Sequence, residues 1–573
     1  MSQLILGIWD GHDSGAALLQ GGKIICAINE ERLTRRKLEI AFPCHSIQSC
    51  LQFAGILPAD ISRIAASTTD PAKTLTRLFP SLKEEYYLIR RRKKIPRPLD
   101  PLRKAFKYRF TEISPNHLSV KLSRSCINRQ LRSLGFHKYD LSMVDHHEAH
   151  AVAAACSCGF PEALVVTLDG VGDGLCGSVR ALQDGQLSLL QKFPAAASPG
   201  IFFEHVTNLL NMRELEDEGK VMALANYAYP VPDAENPLLD VLKARDGRII
   251  SAYSSTAQLK KLKTMLWNFP SEQFAFMAQR TLEKTVIDLV GYYLQKTGLR
   301  RIAAAGGVFS NIKMNMALAN LPQTERIYVF PHMGDGGLAI GAAMTANRKQ
   351  CEIVHYDLND LYLGPAFTNK EITAAIAGEK GIKILPRENS HQKAAELILK
   401  GEVILWFRGR MEAGPRALGN RSILARPDDR SIKDRLNLIL KKRVWYQPFC
   451  PSILVEDADE LLELDGQQIG DNPFMTMAYR VRQEHQRFLE GVINIDGTCR
   501  PHFVRQENPA YRNLLLNIKR QLGWGVVLNT SFNIHGEPLV CSPAEAVKMM
   551  KQSGIGYLFM EDMIIENQHF AHL

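Results

Sequence analysis

The chain has 573 residues, more than one hydrophobic core can organise, so two or more domains are expected. Its 46% hydrophobic and 23% charged residues are those of an ordinary soluble globular protein, and no apolar run approaches the ~20 residues that span a bilayer. The net charge is +10, and the eleven cysteines include no C-x-x-C pair, which argues against structural zinc and a disulfide framework and for reduced, mostly buried thiols.

Met1–Ile8 is apolar but has no basic flank and soon meets Asp10, so it is not read as a signal peptide, and a cytoplasmic location is expected. The N-terminus reads as three strands, Leu4–Trp9, Ala16–Leu19 and Ile24–Ile28. They are separated by an acidic, glycine-containing turn after Asp10 and by Gly21-Gly22. The run "IRRRKKIPRPLDPLRKAFKYRF", Ile89–Phe110, holds much of the positive excess. Such a run suits nucleic acid or a membrane surface, yet more often is a solvated insertion, and no RNA-binding motif accompanies it.

"VDHHEAHAVAAA" then puts three histidines and a glutamate ahead of an alanine-rich helix. His146 and His150 share a helix face at i, i+4, a spacing that suits one metal ion. The same pattern also fits the polar start of a buried helix. A zinc-protease reading fails, because His147-Glu148 meets its next histidine at i+3.

The strand–acidic-turn–strand grammar returns about 160 residues after its first appearance. Leu164–Leu168 ends in Asp169-Gly170, and Asp184-Gly185 makes the next turn. "RIAAAGGVFSN" turns at Gly306-Gly307, and Asn311 opens a helical stretch. "YVFPHMGDGGLAIGAA" repeats that form with Gly334-Asp335-Gly336-Gly337. Glycines before a helix N-terminus let backbone N–H groups approach a phosphate. The duplication predicts two related α/β lobes facing one cleft. Asp169 and Asp335 are the natural carboxylates to complete a site with His146 and His150, a donor set for Fe(II), Mn(II) or Zn(II).

The duplicated pattern stops after "LYLGPAF", so domains are expected at 1–366 and 367–573. The key stretch of the second is "WFRGRMEAGPRALGNRSILARP", four arginines (Arg408, Arg410, Arg416, Arg421) among glycines, as anion recognition requires. Arg500 in "DGTCRPHFVR" and Asn529, Thr530, Ser531 and Asn533 in "VVLNTSFNIHGEP" add to a polar anion pocket.

The acidic and glycine turns resemble the superfamily of actin, chaperone ATPases and sugar kinases, in which duplicated ribonuclease-H-like lobes hold ATP. "VDHHEAHA" resembles the H-x-E-G-H helix of the tRNA threonylcarbamoyl-transferring proteins. End to end, "GHDSGAALL", "INEERLTRRK", "HHEAHA", "LDGVGDG", "EGKVMALANY", "GGVFSN", "GDGGLAIGAA", "GPRALGNRSIL" and "NTSFNIHGEPLV" resemble the O-carbamoyltransferases of nodulation-factor and antibiotic tailoring. That resemblance implies an actin-like ATPase domain followed by a YrdC-like domain.

It implies a YrdC-like domain that makes carbamoyl adenylate from carbamoyl phosphate and Mg-ATP. The carbamoyl group is then transferred in the first domain to a hydroxyl of a small-molecule acceptor, a natural product or a sugar. Metal ligands are implied at His146, His150, Asp169 and Asp335, with iron the usual metal and His147 beside the site. His12 is the expected proton acceptor, with Asp10 orienting it or holding the acceptor. Lys37, Gly306, Gly307, Asn311 and Lys220 are assigned to ATP or adenylate, and Arg416, Gln447, Arg500, Asn529, Thr530 and Ser531 to carbamoyl phosphate. Gln447 stands where relatives often have arginine. It bonds a carbamoyl group without neutralising phosphate, so Lys442 or Arg443 is the expected replacement. Another departure is Leu38, where a histidine is usual. Threonylcarbamoyl transfer to tRNA is the alternative, and a chaperone or sugar kinase of the same superfamily the third reading. The absence of C-x-x-C pairs excludes hydrogenase-maturation carbamoyltransferases. Nucleic acid is not an expected partner, and a homodimer is compatible with the sequence.

Overall fold

Three N-terminal strands, β1 (Leu4–Trp9), β2 (Gly15–Gln20) and β3 (Lys23–Asn29), form an antiparallel meander, and β1 then pairs in parallel with β4 (Arg63–Ser67) and β4 with β5 (Asp140–Val144). The computed structural model describes residues 3–93, 109–348, 352, 354–386 and 389–569. Within the basic Ile89–Phe110 run, residues 94–108 lie outside the described residues. β2 and β3 each reach one residue further at both ends than their apolar runs, because hairpin pairing continues to the turn.

A second sheet repeats this plan. β6 (Ala163–Gly172), β7 (Leu175–Gln183) and β8 (Gln186–Pro194) form a meander. After a small hairpin, β9 (Leu242–Arg245) and β10 (Arg248–Ser251), β11 (Arg301–Ala305) pairs in parallel with β6, and β12 (Arg326–Val329) with β11. The orders β3-β2-β1-β4-β5 and β8-β7-β6-β11-β12 are the same topology, so the duplication read from the turns is present. One local expectation changes. β6 does not end at Asp169 but runs on, with an irregularity after Leu168, and the tight turn is Asp173-Gly174, both with positive φ.

Each repeat ends in an alanine-rich helix after its fifth strand, His146–Ser157 in the first and Leu338–Asn347 in the second. Small side chains allow close approach. A Cβ on Gly341 would lie 2.2 Å from the Ala149 carbonyl oxygen, and one on Gly7 would lie 1.9 Å from that of Ala339. The second helix is therefore clamped between the first helix and β1 at distances that only glycine permits.

The chain divides into two compact units, Met1–Glu30 with Leu38–Asp357, and Glu31–Lys37 with Leu358–Leu573. The division falls nine residues before the expected 366/367 boundary and moves the short Glu31–Lys37 strip into the second unit. Tertiary hydrogen bonds explain the strip: Arg32 Nη2 donates to the Gly414 carbonyl at 2.9 Å, and Arg35 Nη2 to that of Pro538 at 2.8 Å.

The second unit holds a mixed eight-stranded sheet. Its strands are β13 (Ile382–Ile384), β14 (Ile404–Phe407), β15 (Arg421–Ala425), β16 (Cys450–Leu454), β20 (His502–Val504), β21 (Val526–Ser531), β22 (Tyr557–Met560) and β23 (Met563–Asn567). The three short strands β17 (Leu462–Glu463), β18 (Tyr479–Val481) and β19 (Thr498–Cys499) make a separate sheet. Helices Ser390–Leu399 and Pro509–Leu522 bury Ala394, Ile398, Leu514 and Ile518 against Trp406 and Phe559 of the larger sheet. The longer helix is started by Asn508, whose Oδ1 accepts from the Tyr511 N–H, and is stopped by left-handed Gly523. The described cysteines are free, and all but Cys44 and Cys126 are buried. No helix among the described residues is long and apolar enough to cross a membrane.

Candidate metal centre and anion pocket

The first site forms where both repeats bring the ends of their strands together. Asp145 caps the His146–Ser157 helix through the Glu148 N–H, and the His146 N–H donates to Asp173 Oδ2 at 2.9 Å. Asp173 Oδ1 also accepts from the Thr69 and Asp70 N–H groups, which ties the end of β4 to this helix. Burial, with Asp70 and Asp145 beside it, pushes Asp173 up to about 6.

One turn apart, His146 and His150 aim their Nε2 atoms at two carboxylates. His150 Nε2 lies 3.1 Å from Asp169 Oδ2 and 3.6 Å from Asp335 Oδ1, and His146 Nε2 lies 3.6 Å from each. One donor atom from each of the four residues falls within 4.8 Å of all the others. His146 Nε2, His150 Nε2 and Asp169 Oδ2 are buried without a hydrogen-bond partner. Buried polar atoms are seldom left so, and three of them converging with a fourth donor fit a divalent transition-metal ion held by two imidazoles and two carboxylates. Burial opposes a charged His146, but Asp335 and Asp169 outweigh it and raise its pKa to about 9.

The surroundings fix the rings. His146 Nδ1 is 3.0 Å from Thr68 Oγ1, and Gly172 leaves room for the imidazole, since a Cβ there would be 2.1 Å from His146 Cγ. His147 points away, with Nε2 3.1 Å from the Leu175 carbonyl and Nδ1 3.3 Å from Thr167 Oγ1. Burial, then the repulsion of His146 and His150, lowers it to about 3, so it stays neutral beside the site, as expected.

His12 joins this group: its Nε2 is 3.1 Å from Asp335 Oδ2. Asp10 is gripped by Arg77, whose Nε and Nη2 each donate at 2.9 Å, and by Lys73 at 2.9 Å and Lys83 at 3.5 Å. Burial alone would raise the Asp10 carboxyl, but these cations hold it well below the usual carboxylate range. The carboxylate 3.1 Å from His12 Nε2 is that of Asp335, while Asp10 is engaged by the three cations.

Gly306, with φ 101°, lets the turn after β11 lie against Leu168, and Gly307 places its backbone beside Asp169 Oδ1. Asn311 caps the following helix through Met314 N–H and forms a reciprocal amide pair with Gln279, so its side chain serves the turn. Lys220 Nζ pairs with Asp217 at 2.8 Å. Lys37 belongs to the strip in the second unit, where its charge, after burial and Arg443, helps push Lys441 down.

In the second unit, Arg416, Arg500 and Arg443 cluster around Cys450. Arg500 Nε and Nη2 donate to the Cys450 Sγ at 3.2 and 3.1 Å. Arg416 Nε and Arg443 Nη2 are buried without hydrogen-bond partners. Burial and then Arg500 lower Arg416 to about 9; burial is also the main cause that lowers Arg443 to about 10. Asn529 sits opposite Cys450 on the neighbouring strand and donates to the Ala417 carbonyl and Ser452 Oγ. The side-chain oxygens of Asn529 and Gln447 are buried and unpaired. Thr530 follows on β21, and the Ser531 carbonyl and Oγ accept from Lys441 Nζ.

The other arginines of the glycine-rich loop have structural duties. Arg408 donates to Ser390 Oγ, Arg410 to the Leu363 and Gly364 carbonyls, and Arg421 to those of Arg408 and Asn420. Of the two candidates to replace the missing arginine, Arg443 is the one in the cluster. The sequence reading did not single out Lys441 or Cys450, nor Thr68, Asp173, Lys73, Arg77 and Lys83 in the first unit. The i, i+4 spacing of Lys73 and Arg77 was the one available signal.

Two family models match the chain: "Carbamoyltransferase N-terminus" over residues 4–344 and "Carbamoyltransferase C-terminus" over 395–567. The nodulation protein NolNO of Sinorhizobium fredii is 32% identical over 572 residues, covering 97% of this chain and 79% of the relative. The nodulation protein NolO of Bradyrhizobium diazoefficiens is 35% identical over 415 residues, 70% of this chain and 75% of its own. A 3'-hydroxymethylcephem-O-carbamoyltransferase of Streptomyces clavuligerus is 27% identical over 415 residues, 68% of this chain and 73% of its own.

Proposed function

The chain belongs to the carbamoyltransferase family, and from that premise we propose that it is an ATP-dependent O-carbamoyltransferase with two sites, an actin-like domain for transfer and a YrdC-like domain for activation. The observation that carries the reading is the set of buried, unanswered polar atoms at the arginine cluster of the second unit. Carbamoyl phosphate presents anionic oxygens that need donors and an amide NH2 that needs acceptors. Arg416, Arg443 and Arg500 supply the donors, and the unpaired Gln447 and Asn529 oxygens supply the acceptors.

There, water would release phosphate from carbamoyl phosphate. The resulting carbamate oxygen would attack the α-phosphorus of ATP, expelling pyrophosphate and giving carbamoyl adenylate. Lys441, held by Ser531 and Asn533, positions the end of β21 beside the pocket. In the first unit His146, His150, Asp169 and Asp335 would hold a divalent ion, iron being the family expectation. When bound, that ion supplies positive charge for the adenylate phosphate. Gly307 lies beside Asp169, while the Gly306 N–H is taken by the Met333 carbonyl at 2.7 Å, which fixes the turn.

Transfer needs a base for the acceptor hydroxyl. Asp335 Oδ2 accepting from His12 Nε2–H selects the tautomer with a basic Nδ1. The hydroxyl oxygen attacks the carbamoyl carbon as its proton passes to His12, and AMP leaves with the bonding pair.

Carbamoyl-phosphate-dependent ATP–pyrophosphate exchange tests the first half-reaction. Exchange without acceptor is expected. Its absence in metal-replete protein, or its replacement by exchange that needs threonine and bicarbonate, would turn the assignment toward the tRNA-modifying relatives.

A further inference from the structure

Asp10 and Asp169 occupy equivalent places, Asp10 just after β1 and Asp169 at the irregularity after Leu168 in β6, yet they meet opposite surroundings. Asp169 faces the metal-ligand histidines, whereas Asp10 faces three cations. The fork of Arg77 answers Asp10 through both carboxylate oxygens and uses its remaining donors on the Ser67 and Thr68 carbonyls at the end of β4. That pair is complete by itself. Lys73 and Lys83 are then surplus ammonium groups, with side chains only 9% and 12% exposed. Among the described residues, Asp10 is the one carboxylate with which either ammonium pairs.

Two largely buried ammonium groups in excess of their counter-charge are costly unless an anion joins them. Desolvation brings Lys73 down to about 7, a sign of that cost. Their location says what such an anion serves. Lys73 Nζ lies 4.3 Å over the Trp9 ring, the other contact of which is the edge of His146, with ring centroids 5.9 Å apart. Trp9 Nε1 also donates to the His12 carbonyl at 2.8 Å. The lysines therefore stand about one indole's width from the metal ligands, at the carboxyl ends of β1 and β4, where open α/β sheets bind ligands.

Resting on the carbamoyl-transfer reading, we propose that Lys73 and Lys83 hold an oxyanion of the acceptor, which makes the acceptor a hydroxylated anion, a hydroxy acid or a sugar phosphate. The charged group docks on the two ammonium groups, and its hydroxyl reaches toward His12. Lysine suits this as a point charge with rotatable donors, in contrast to the planar arginine forks of the second unit.

Matched probes test the assignment on the full, metal-replete chain: glycerol against glycerol 3-phosphate, and glucose against gluconate and glucose 6-phosphate, each with labelled carbamoyl phosphate and ATP. The charged members are expected to exceed the neutral ones in kcat/KM by about tenfold or more, the scale of a charge-assisted hydrogen bond. Preference for gluconate assigns a carboxylate, and preference for the phosphate esters a phosphate. Lys73→Met and Lys83→Met keep the apolar stems and should each lose that margin. Because they remove surplus charge, the ligand-free melting temperature should hold or rise; a merely structural role beside Asp10 would lower it. Equal use of charged and neutral probes would overturn the proposal. So would variants that weaken binding of labelled AMP while leaving acceptor preference intact, since the oxyanion would then be the nucleotide's.

Calorimetric titration of glycerol 3-phosphate and gluconate needs no turnover. Binding that depends on Lys73 and Lys83 in a chain without pyrophosphate exchange would reject the carbamoyltransferase reading and keep the oxyanion site. Failure of every charged probe to bind a chain that does exchange would do the reverse.

Discussion

His12 faces Asp335 across the two repeats of the first unit, with Nε2 3.1 Å from Oδ2, while Oδ1 of the same carboxylate lies 3.6 Å from both His146 and His150. One carboxylate thus serves the ligand histidines with one oxygen and the proposed base with the other. His12→Asn should lower acceptor carbamoylation by about 10²–10⁴-fold, the usual worth of general-base help, with metal content unchanged. Asp335→Asn should lower both transfer and metal content. A His12 variant that loses its metal as well would place His12 among the ligands.

His146→Ala and His150→Ala remove donors that have no other partner. Each should abolish retention of a divalent ion, read by elemental analysis after dialysis, and with it acceptor carbamoylation. ATP–pyrophosphate exchange should persist, because its residues lie in the second unit. Equal loss of both half-reactions would contradict the division into two sites.

Gly341 touches no ligand, yet a Cβ there would meet the Ala149 carbonyl at 2.2 Å. Gly341→Val should push the Leu338–Asn347 helix from the His146–Ser157 helix and displace Asp335 from the histidines. A loss of metal affinity with about 1–3 kcal/mol of destabilisation in urea is expected. Unchanged affinity would show that the ligands are set by their own loops.

Arg443 Nη2 is a buried donor without a partner in the cluster with Cys450 and Arg500. Arg443→Met should raise the KM for carbamoyl phosphate by about 10–100-fold, corresponding to a charged hydrogen bond, with the KM for ATP little changed. If Lys442→Met instead produced that effect, the replacement for the missing arginine would be its neighbour.

His502 is fully buried, stacked on Tyr511, with Nδ1 3.2 Å from Ser452 Oγ. Burial, then Arg505, lowers it to about 3. Its folded pKa lies below the unfolded value of about 6.5, so on acidification the unfolded chain takes the proton first. Stability should be level above pH ~7 and fall as pH drops through the window between ~6.5 and 3, by up to about 1.4 kcal/mol per pH unit from this one group. His502→Gln should flatten that part of a denaturation-versus-pH curve.

Much of the first unit was legible because its signals are local. Strand alternation, acidic turns and paired glycines follow from neighbouring residues, and their recurrence exposed the duplication before any coordinate. The four candidate metal ligands drew notice for the same reason: His146 and His150 open an alanine-rich helix, and Asp169 and Asp335 stand among glycines. The fate of Asp10 was not, because Arg77 and the two lysines approach from helices after β4 whose sequence carries no motif. Nor did the four-arginine loop reveal that Arg408, Arg410 and Arg421 bond carbonyls. An arginine's duty depends on which backbone oxygens tertiary packing leaves beside it. The place of the Glu31–Lys37 strip was hidden because its attachments lie hundreds of residues away.

That strip sets an order of events during synthesis. Glu31–Lys37 is synthesised hundreds of residues before the carbonyls of Gly414, Pro538 and Leu539 that receive Arg32 and Arg35. The second unit therefore closes only once Pro538 and Leu539 have emerged, however early the first repeat pairs its strands, and pairing across so long a separation is slow. A nascent chain halted before residue 538 would carry an unattached basic strip, a natural handle for chaperones. A separately expressed 367–573 fragment would lack a piece of its own fold.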